Sequence, residues 1–348
     1  MRLAIVGAGV SGLAAAWALR NTELDVVVFE KSQGYSGRAA TRGQHGVRYD
    51  HGANYFKIDS ERVEHLICSE LPTDELVEIP GDVWTFDAEG QVQPGDDDAN
   101  AASKWTYRNG ISTIGKLLAE AANAVVHRET RVEHVERQDG AWRVRTDTAE
   151  TYGPFDAVLL TPPAPQTIAI LQASEGAHSA RTALVDAMRE ARYPSQFTVV
   201  LGYDQPISRP GDFFALLNLD RKHPIAWLSF EEDKPGHVPD GQSVLIVQMA
   251  PHWTEAHYEA SHNVLVDRVV ALVEDVLDTS LAAPTWSDHQ RWRYALPNKA
   301  AATSEMEAAE AAGLFVAGDA LVGKGRVQRA LGTGLDAATQ IREYAGST

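Results

Sequence analysis

The sequence predicts a two-domain α/β protein, a doubly wound parallel sheet interrupted by an inserted mixed α+β domain, and three observations lead there. A strand, a glycine-rich turn, a helix and a second strand follow one another from Leu3 to Phe29. A proline-dense break at Thr161-Pro162-Pro163-Ala164-Pro165 stops an apolar strand and opens a stretch of different character. Near the C-terminus, a buried-type strand within Gly313 to Asp319 and a closing helix over Gly334 to Tyr344 return to the opening pattern. At 348 residues the chain has room for two domains of roughly 150 residues each.

Apolar Leu3 to Val6, the alanine-rich run Leu13 to Arg20 and apolar Leu24 to Phe29 read as a βαβ unit with a right-handed crossover. Helical spacing of apolar residues runs from Gly110 to Ala122, followed by strand-like Ala124 to His127, Arg131 to Val135 and Ala141 to Thr146. Phe155 to Leu160 is another strand, which the prolines end because they cannot donate to a ladder. Beyond it, Phe197 to Tyr203, Ile225 to Phe230 and Val244 to Met249 read as strands separated by turns such as Lys234-Pro235-Gly236. Val264 to Leu277 reads as an amphipathic helix over them. The expected division is 1–75, 105–165 and 300–348 for the discontinuous dinucleotide-binding domain, with 76–104 and 166–299 for the substrate-binding domain. Asp96-Asp97-Asp98 reads as a solvated loop.

Composition excludes several function classes. Against 31 Lys and Arg stand 48 Asp and Glu, a net charge of −17, whereas nucleic acid and anionic membrane surfaces both require a basic face. Neither partner is expected. The single cysteine, Cys68, rules out an intrachain disulfide and a cysteine metal cluster, which fits a reducing, cytoplasmic setting. The twelve histidines show no ligand spacing, so no metal is expected. The N-terminus lacks the order of a secretory leader, and no stretch of about 18 apolar residues is long enough to cross a bilayer.

Gly7-Ala8-Gly9-Val10-Ser11-Gly12 carries the G-x-G-x-x-G spacing in its meaningful context, after a strand and opening a helix. Gly7 permits the tight turn, Gly9 lets backbone approach a pyrophosphate, and Gly12 lets the helix pack closely. The helix N-terminus then offers free N–H groups to the anion. Glu30, at the end of the next strand, suits two ribose hydroxyls and disfavours a 2′-phosphate, so FAD or NAD is expected and NADP is not.

The stretch that follows separates FAD from NAD. Lys31, Gly37-Arg38-Ala39-Ala40-Thr41-Arg42 and Asp50-His51-Gly52-Ala53-Asn54-Tyr55-Phe56 resemble the extended FAD signature of the flavin amine oxidase superfamily, most of all its renalase-like oxidoreductases. The resemblance extends through Gly110-Ile111-Ser112, Arg131-Val132, Trp227-Leu228, Arg291 to Pro297, Gly318-Asp319 and Gly325-Arg326-Val327. It implies non-covalent FAD held by the Gly7 to Gly12 turn, Glu30, Lys31, Gly37, Arg38, Arg42, Asn54, Val132, Gly318, Asp319, Arg326, Gly334 and Leu335. Arg38 and Arg42 would cross the diphosphate, where a planar guanidinium forms paired bonds. A helix starting near Gly332-Thr333-Gly334 would aim its N-terminus at the flavin pyrimidine ring.

For the substrate side, Asn54, Tyr55, Gln248, Trp292 and Tyr294 are the expected contacts. Trp292 and Tyr294 alternate with Arg291 and Arg293, so in a strand the aromatic pair shares one face, to stack on a planar ring or to pack a core. Asn54 stands where close relatives carry glutamine, and Gln248 where bacterial relatives carry histidine. Ser36 replaces the first glycine of the usual Gly-Gly-Arg, and Gln328-Arg329 replaces smaller or acidic residues, which favours an anionic substrate. Lys299 and Lys324 read as exposed lysines, and Cys68 as a buried helix residue rather than a flavin tether. The resemblance implies an FAD-dependent oxidase that takes a hydride from a dihydronicotinamide, the mis-reduced isomers of NAD(P)H, onto flavin N5 and returns electrons to O2 as H2O2. An amine oxidase or desaturase of the same superfamily, and a non-catalytic redox sensor, are the alternatives.

Overall fold

Residues 1–174 and 179–347 are described by a computed structural model, and they adopt the α/β architecture that the sequence predicts. Five parallel strands form one sheet in the order Leu314–Val316, Ala157–Leu160, Arg2–Val6, Asp25–Phe29, Val125–His127. Alternation splits their apolar side chains between two cores. Leu3, Ile5, Val26, Val28 and Leu159 face the helices Val10–Ala18, Thr113–Ala122 and Val327–Ser347. Ala4, Val6, Val27, Phe29 and Leu160 face a three-stranded antiparallel meander, Val132–Gln138, Ala141–Thr146 and Thr151–Phe155. A strand buried on both sides needs a continuous apolar run, which is what these segments contain.

The second sheet has seven strands in the order Trp286–Trp292, Gln196–Tyr203, Ser243–Met249, Ile225–Phe230, Phe213–Asn218, Asp82–Phe86, Val92–Gln93. Phe197, Val199, Leu201, Leu228, Leu245 and Val247 turn one face toward Leu265, Val269 and Val273 of the helix His262–Leu277. The opposite face turns toward the first sheet's loops. That second face is more polar.

Several expectations are corrected. Phe155 to Leu160 is not one strand: the chain bends at Asp156, whose carboxylate accepts from Arg2 N at 2.6 Å, and the two pieces join different sheets. The helices Ala164–Ala173 and Ser179–Met188 pack Ile170, Leu171, Leu184 and Met188 into the core on the meander side of the parallel sheet, so after the proline break the chain returns to the seven-stranded sheet at Gln196 and not at 166. Asp96 caps a short helix, Asp97–Ala101, by accepting from Ala99 N at 2.7 Å. Cys68 is exposed, because the π-helical turn His65–Glu70 directs Leu66 and Ile67 inward and swings the next residue out. The closing helix begins at Val327, well before Gly334, which lies inside it. A Cβ on Gly334 would stand 2.1 Å from Ser11 O, so this glycine serves close packing of the last helix on the first, and its neighbour Leu335 packs in the same core.

Candidate functional site

The glycine turn is built for close approach on one side and for openness on the other. Gly7 adopts φ 103°, and a Cβ on Gly12 would lie 2.2 Å from Gly7 O. Gly9, by contrast, faces open space, with nothing within 4 Å of a built Cβ. It is the N-cap of Val10–Ala18, and no side chain caps that helix. Glu30 is only 7% exposed; its carboxylate accepts from Ala8 N at 2.8 Å and from Ser32 N at 2.9 Å, which holds it beside the turn. Uncapped amides, an open approach and a buried acid fit the diphosphate and ribose of a dinucleotide.

The next loop lies against this turn. Ser36 N donates to Ala8 O at 2.9 Å, and Ser36 itself sits at φ 80°, a conformation that explains why glycine is usual there. Gly37, at φ 61°, brings Arg38 onward. Arg38 pairs with Asp319 at 2.8 Å, donates to Ala295 O at 2.9 Å and lies over the Tyr193 ring, whose hydroxyl donates to Asp319 at 2.6 Å. The structure thus brings Arg38, Gly318 and Asp319 together near the turn. Gly318 N is held by Thr333 Oγ1 at 2.9 Å. Lys31 is exposed at the end of the second strand, and Val132 is buried in the meander core.

Arg42 is engaged elsewhere. Its guanidinium donates to Asp288 at 2.5 Å and to Gln290 at 2.6 Å, so it ties the strand Thr41–Gln44 to the edge of the seven-stranded sheet instead of extending beside Arg38. Tyr294 also departs from expectation: the strand ends at Trp292, Arg293 and Tyr294 form a turn, and the aromatic pair shares no strand face. Trp292 stays at the site. It donates through Nε1 to His51 O at 3.0 Å and stacks on the His51 ring at 5.5 Å and 13°.

Register then defines a transverse row on the polar face of the second sheet. Gln290, Thr198, Gln248 and Trp227 are successive partners across four strands. Gln248 donates through Nε2 to Gly52 O at 2.7 Å, and Ser229 donates to Asn54 Oδ1 at 2.9 Å, so the segment Gly52 to Tyr55 lies directly on this row. Tyr55 packs beside Trp227, with ring centroids 5.9 Å apart, and beside Phe214 at 6.4 Å. Thr198 Oγ1 and Trp227 Nε1, on this row, are buried atoms with no hydrogen-bond partner among the described residues. Burial pushes the Tyr55 hydroxyl above its ordinary value, and Arg326, exposed just before the last helix, offsets part of that rise.

Behind this segment lies an ionic cluster that sequence reasoning missed. Lys234 Nζ donates to Asp50 Oδ2 at 2.9 Å and to Glu231 Oε1 at 3.0 Å, with all three side chains fully buried. His237 bridges Glu231 Oε1 at 2.8 Å and Tyr107 O at 2.9 Å, while Asp50 also accepts from Thr41, Thr106 and Ile111 N. Burial alone would raise the Asp50 carboxyl, but Lys234 and His237 hold it below the usual range. Burial would likewise lower His237, and Glu231 and Asp50 hold it above its ordinary value. Asp50, Glu231 and His237 stand close enough to ligate a cation, yet the Lys234 ammonium already lies between the two carboxylates. Within Glu231-Glu232-Asp233-Lys234 a lysine among acids reads as a solvated turn, so only a buried count of its neighbours distinguishes it.

His51 gives the site a pH signature. Burial, then Arg42, pushes its imidazole down to about 4 from 6.5. Because the unfolded chain binds that proton first, stability is full above pH 6.5 and falls as pH drops toward 4, by at most about 1.4 kcal/mol per pH unit. His51→Phe, which retains a ring to stack on Trp292, is expected to flatten the stability profile between those values by about one proton in denaturant titrations at stepped pH.

With this geometry established, known proteins add the family. Residues 5–69 match the NAD(P)-binding Rossmann-like domain, and residues 80–342 match the flavin containing amine oxidoreductases. The chain belongs to the flavin containing amine oxidoreductase family and is an FAD-dependent oxidoreductase. Protoporphyrinogen oxidase 2 of Arabidopsis thaliana is 49% identical over 53 residues, which cover 15% of this chain and 10% of that protein. The mitochondrial protoporphyrinogen oxidase of Nicotiana tabacum is 43% identical over 68 residues, 20% of this chain and 14% of that protein. These matches thus span only a small part of the curated relatives' length. Among solved structures, a protein from Exiguobacterium sp. 255-15, provisionally assigned as a protoporphyrinogen oxidase, superimposes with a TM-score of 0.78 at 18% identity, over 100% of this chain and 99% of that one. Putrescine oxidase bound to putrescine gives 0.72 at 15% identity, over 99% of each chain. At these identities the likeness establishes the fold. Among the described residues, no helix is long and apolar enough to cross a membrane.

Proposed function

We propose that this oxidoreductase oxidises a dihydronicotinamide, specifically the isomers of reduced NAD(P) that carry the hydride at the wrong ring position, and that O2 is its electron acceptor. The observation that carries this reading is the pairing of Trp227 with Gln248. The Gln248 amide nitrogen is committed to Gly52 O, which leaves Oε1 as an acceptor, and its register partner Trp227 offers an unpartnered N–H. One acceptor and one donor on adjacent strands complement a primary carboxamide. The row Gln290, Thr198, Gln248 and Trp227 holds amides, a hydroxyl and an indole, none of which titrates near neutrality. A substrate that is already a hydride donor needs no general base from this wall. FAD, held by the turn at Gly7 to Gly12 with Glu30, Arg38 and Asp319 nearby, would supply the two-electron acceptor.

The test is anaerobic. Holoprotein is mixed with fresh NADH, with deliberately isomerised NADH and with putrescine, and loss of the oxidised flavin band is followed. Rapid bleaching by the isomerised material alone is expected. Bleaching by putrescine alone, rising steeply with pH as the free amine accumulates, would establish an amine oxidase instead. Bleaching without turnover once oxygen is admitted would establish a redox sensor.

A further inference from the structure

A buried lysine lies beside this wall without an acid. Lys104 is 5% exposed, and among the described residues no carboxylate pairs with it. Its strand, Lys104–Tyr107, runs antiparallel to Leu76–Ile79 with Lys104 directly opposite Ile79. Directly opposed residues project to the same face. Ile79 packs with Phe214 and Ala215, against which Tyr55 and Trp227 also lie, so Lys104 shares the face of the candidate substrate wall. Alternation agrees: Thr106 reaches Asp50 at 3.2 Å on that face, while Trp105 and Tyr107 turn to the core beneath the helices Val10–Ala18 and Thr113–Ala122.

Two further cations complete the arrangement. An antiparallel bridge between Phe56 and Trp105 sets Lys57 alongside Lys104. The Lys57 ammonium is held below the ordinary lysine value, first by burial and then by the like charges of Lys104 and Arg326. Lys57 donates to Ala99 O at 2.7 Å and Arg326 to Gly325 O at 2.9 Å, both backbone oxygens. The nearby acid, Asp59, is taken by Arg329 at 3.3 Å and by Gln328 at 3.4 Å. In a chain of net charge −17, Lys57 and Lys104 side by side, with Arg326 near enough to Lys57 to act on its charge, oppose the overall field.

We propose that Lys104, with Lys57 and Arg326 around it, binds an oxyanion carried by the substrate away from its reacting ring. Resting on the dihydronicotinamide reading, that oxyanion is the phosphate of the nucleotide. Lys104 is a binding residue here: an ammonium on a buried strand supplies a fixed point charge and three donors, and it gains its missing partner only when the ligand arrives.

Calorimetric titration of the holoprotein tests this without turnover. Nicotinamide mononucleotide and nicotinamide riboside differ by one phosphate, and the wild type is expected to bind the mononucleotide about ten-fold or more tighter. In Lys104→Met that preference is expected to fall to about two-fold or less, with riboside affinity unchanged. Inorganic phosphate and succinate serve as probes free of nicotinamide. If neither nicotinamide compound binds but phosphate binds in a Lys104-dependent way, the oxyanion site stands and the dihydronicotinamide reading falls; Lys104-dependent binding of succinate in preference to phosphate assigns a carboxylate-bearing substrate. Equal affinity for mononucleotide and riboside, with no binding of phosphate or succinate to the wild type, overturns the proposal. Should Lys104→Met weaken both compounds equally, Lys104→Arg decides: recovery of the phosphate preference supports the proposal, and its absence overturns it.

Discussion

Gly9→Val and Gly12→Ala are expected to separate flavin binding from folding. At Gly12 even a methyl group would stand 2.2 Å from Gly7 O and 3.2 Å from Thr161 Oγ1, so the first helix must move away from the first strand. Overpacking of that kind costs about 1–3 kcal/mol, and it distorts the turn that presents the amides. The purified Gly12→Ala protein is expected to be both less stable and free of flavin. At Gly9 the backbone has φ −73° and ψ 174°, open to any residue, and no protein atom lies within 4 Å of a Cβ. The Gly9→Val apoprotein should therefore unfold at the wild-type denaturant concentration while its branched side chain fills the diphosphate approach. Bound flavin per chain, measured after reconstitution, reads the difference. A Gly9→Val protein with full flavin content would remove the diphosphate from this turn.

Lys234→Met carries the largest expected cost in stability. It leaves the Asp50 and Glu231 carboxylates fully buried beside each other without the ammonium that both now bond. Removing one member of a buried ionic group costs about 3–5 kcal/mol, because the remaining charge is stranded away from water. Asp50 precedes His51 to Tyr55, and its main-chain N–H donates to Glu231 at 2.8 Å, so the loss should also loosen the segment that Gln248 and Ser229 hold. Combining Lys234→Met with Asp50→Asn removes one negative charge along with the positive one and is expected to recover part of the loss. Equilibrium unfolding in urea measures both variants; a change below about 1 kcal/mol in Lys234→Met would mean that the cluster contributes little.

The dinucleotide half was legible because its signals are local. The spacing of Gly7, Gly9 and Gly12 between apolar runs states a backbone requirement that the turn and helix fulfil within a dozen residues. Three strands of the substrate sheet were legible, Ile225–Phe230 among them, but Phe213–Asn218, Asp82–Phe86 and Val92–Gln93 were not, nor was the pairing order, since nothing local makes Thr198 the neighbour of both Gln248 and Gln290. The family resemblance implies a helix start near Gly332-Thr333-Gly334, and glycine is costly inside a helix. Contact with Ser11 across the two helices outweighs that propensity. Arg42 and Arg38 look alike in sequence, and only the long-range position of Asp288 and Gln290 draws one of them away. The burial of Lys104 and Lys234 is illegible for the same reason: lysine is ordinarily exposed, and burial is a property of the assembled sheets.

The central claim, that the open turn at Gly9 and the acid at Glu30 hold FAD without a covalent tether, is tested most directly by identifying what the purified chain releases on denaturation. The account predicts a yellow protein that gives up one FAD per chain into the filtrate, leaving colourless polypeptide. A chain that stays colourless after reconstitution with FAD, or that releases a nicotinamide dinucleotide in its place, would contradict it.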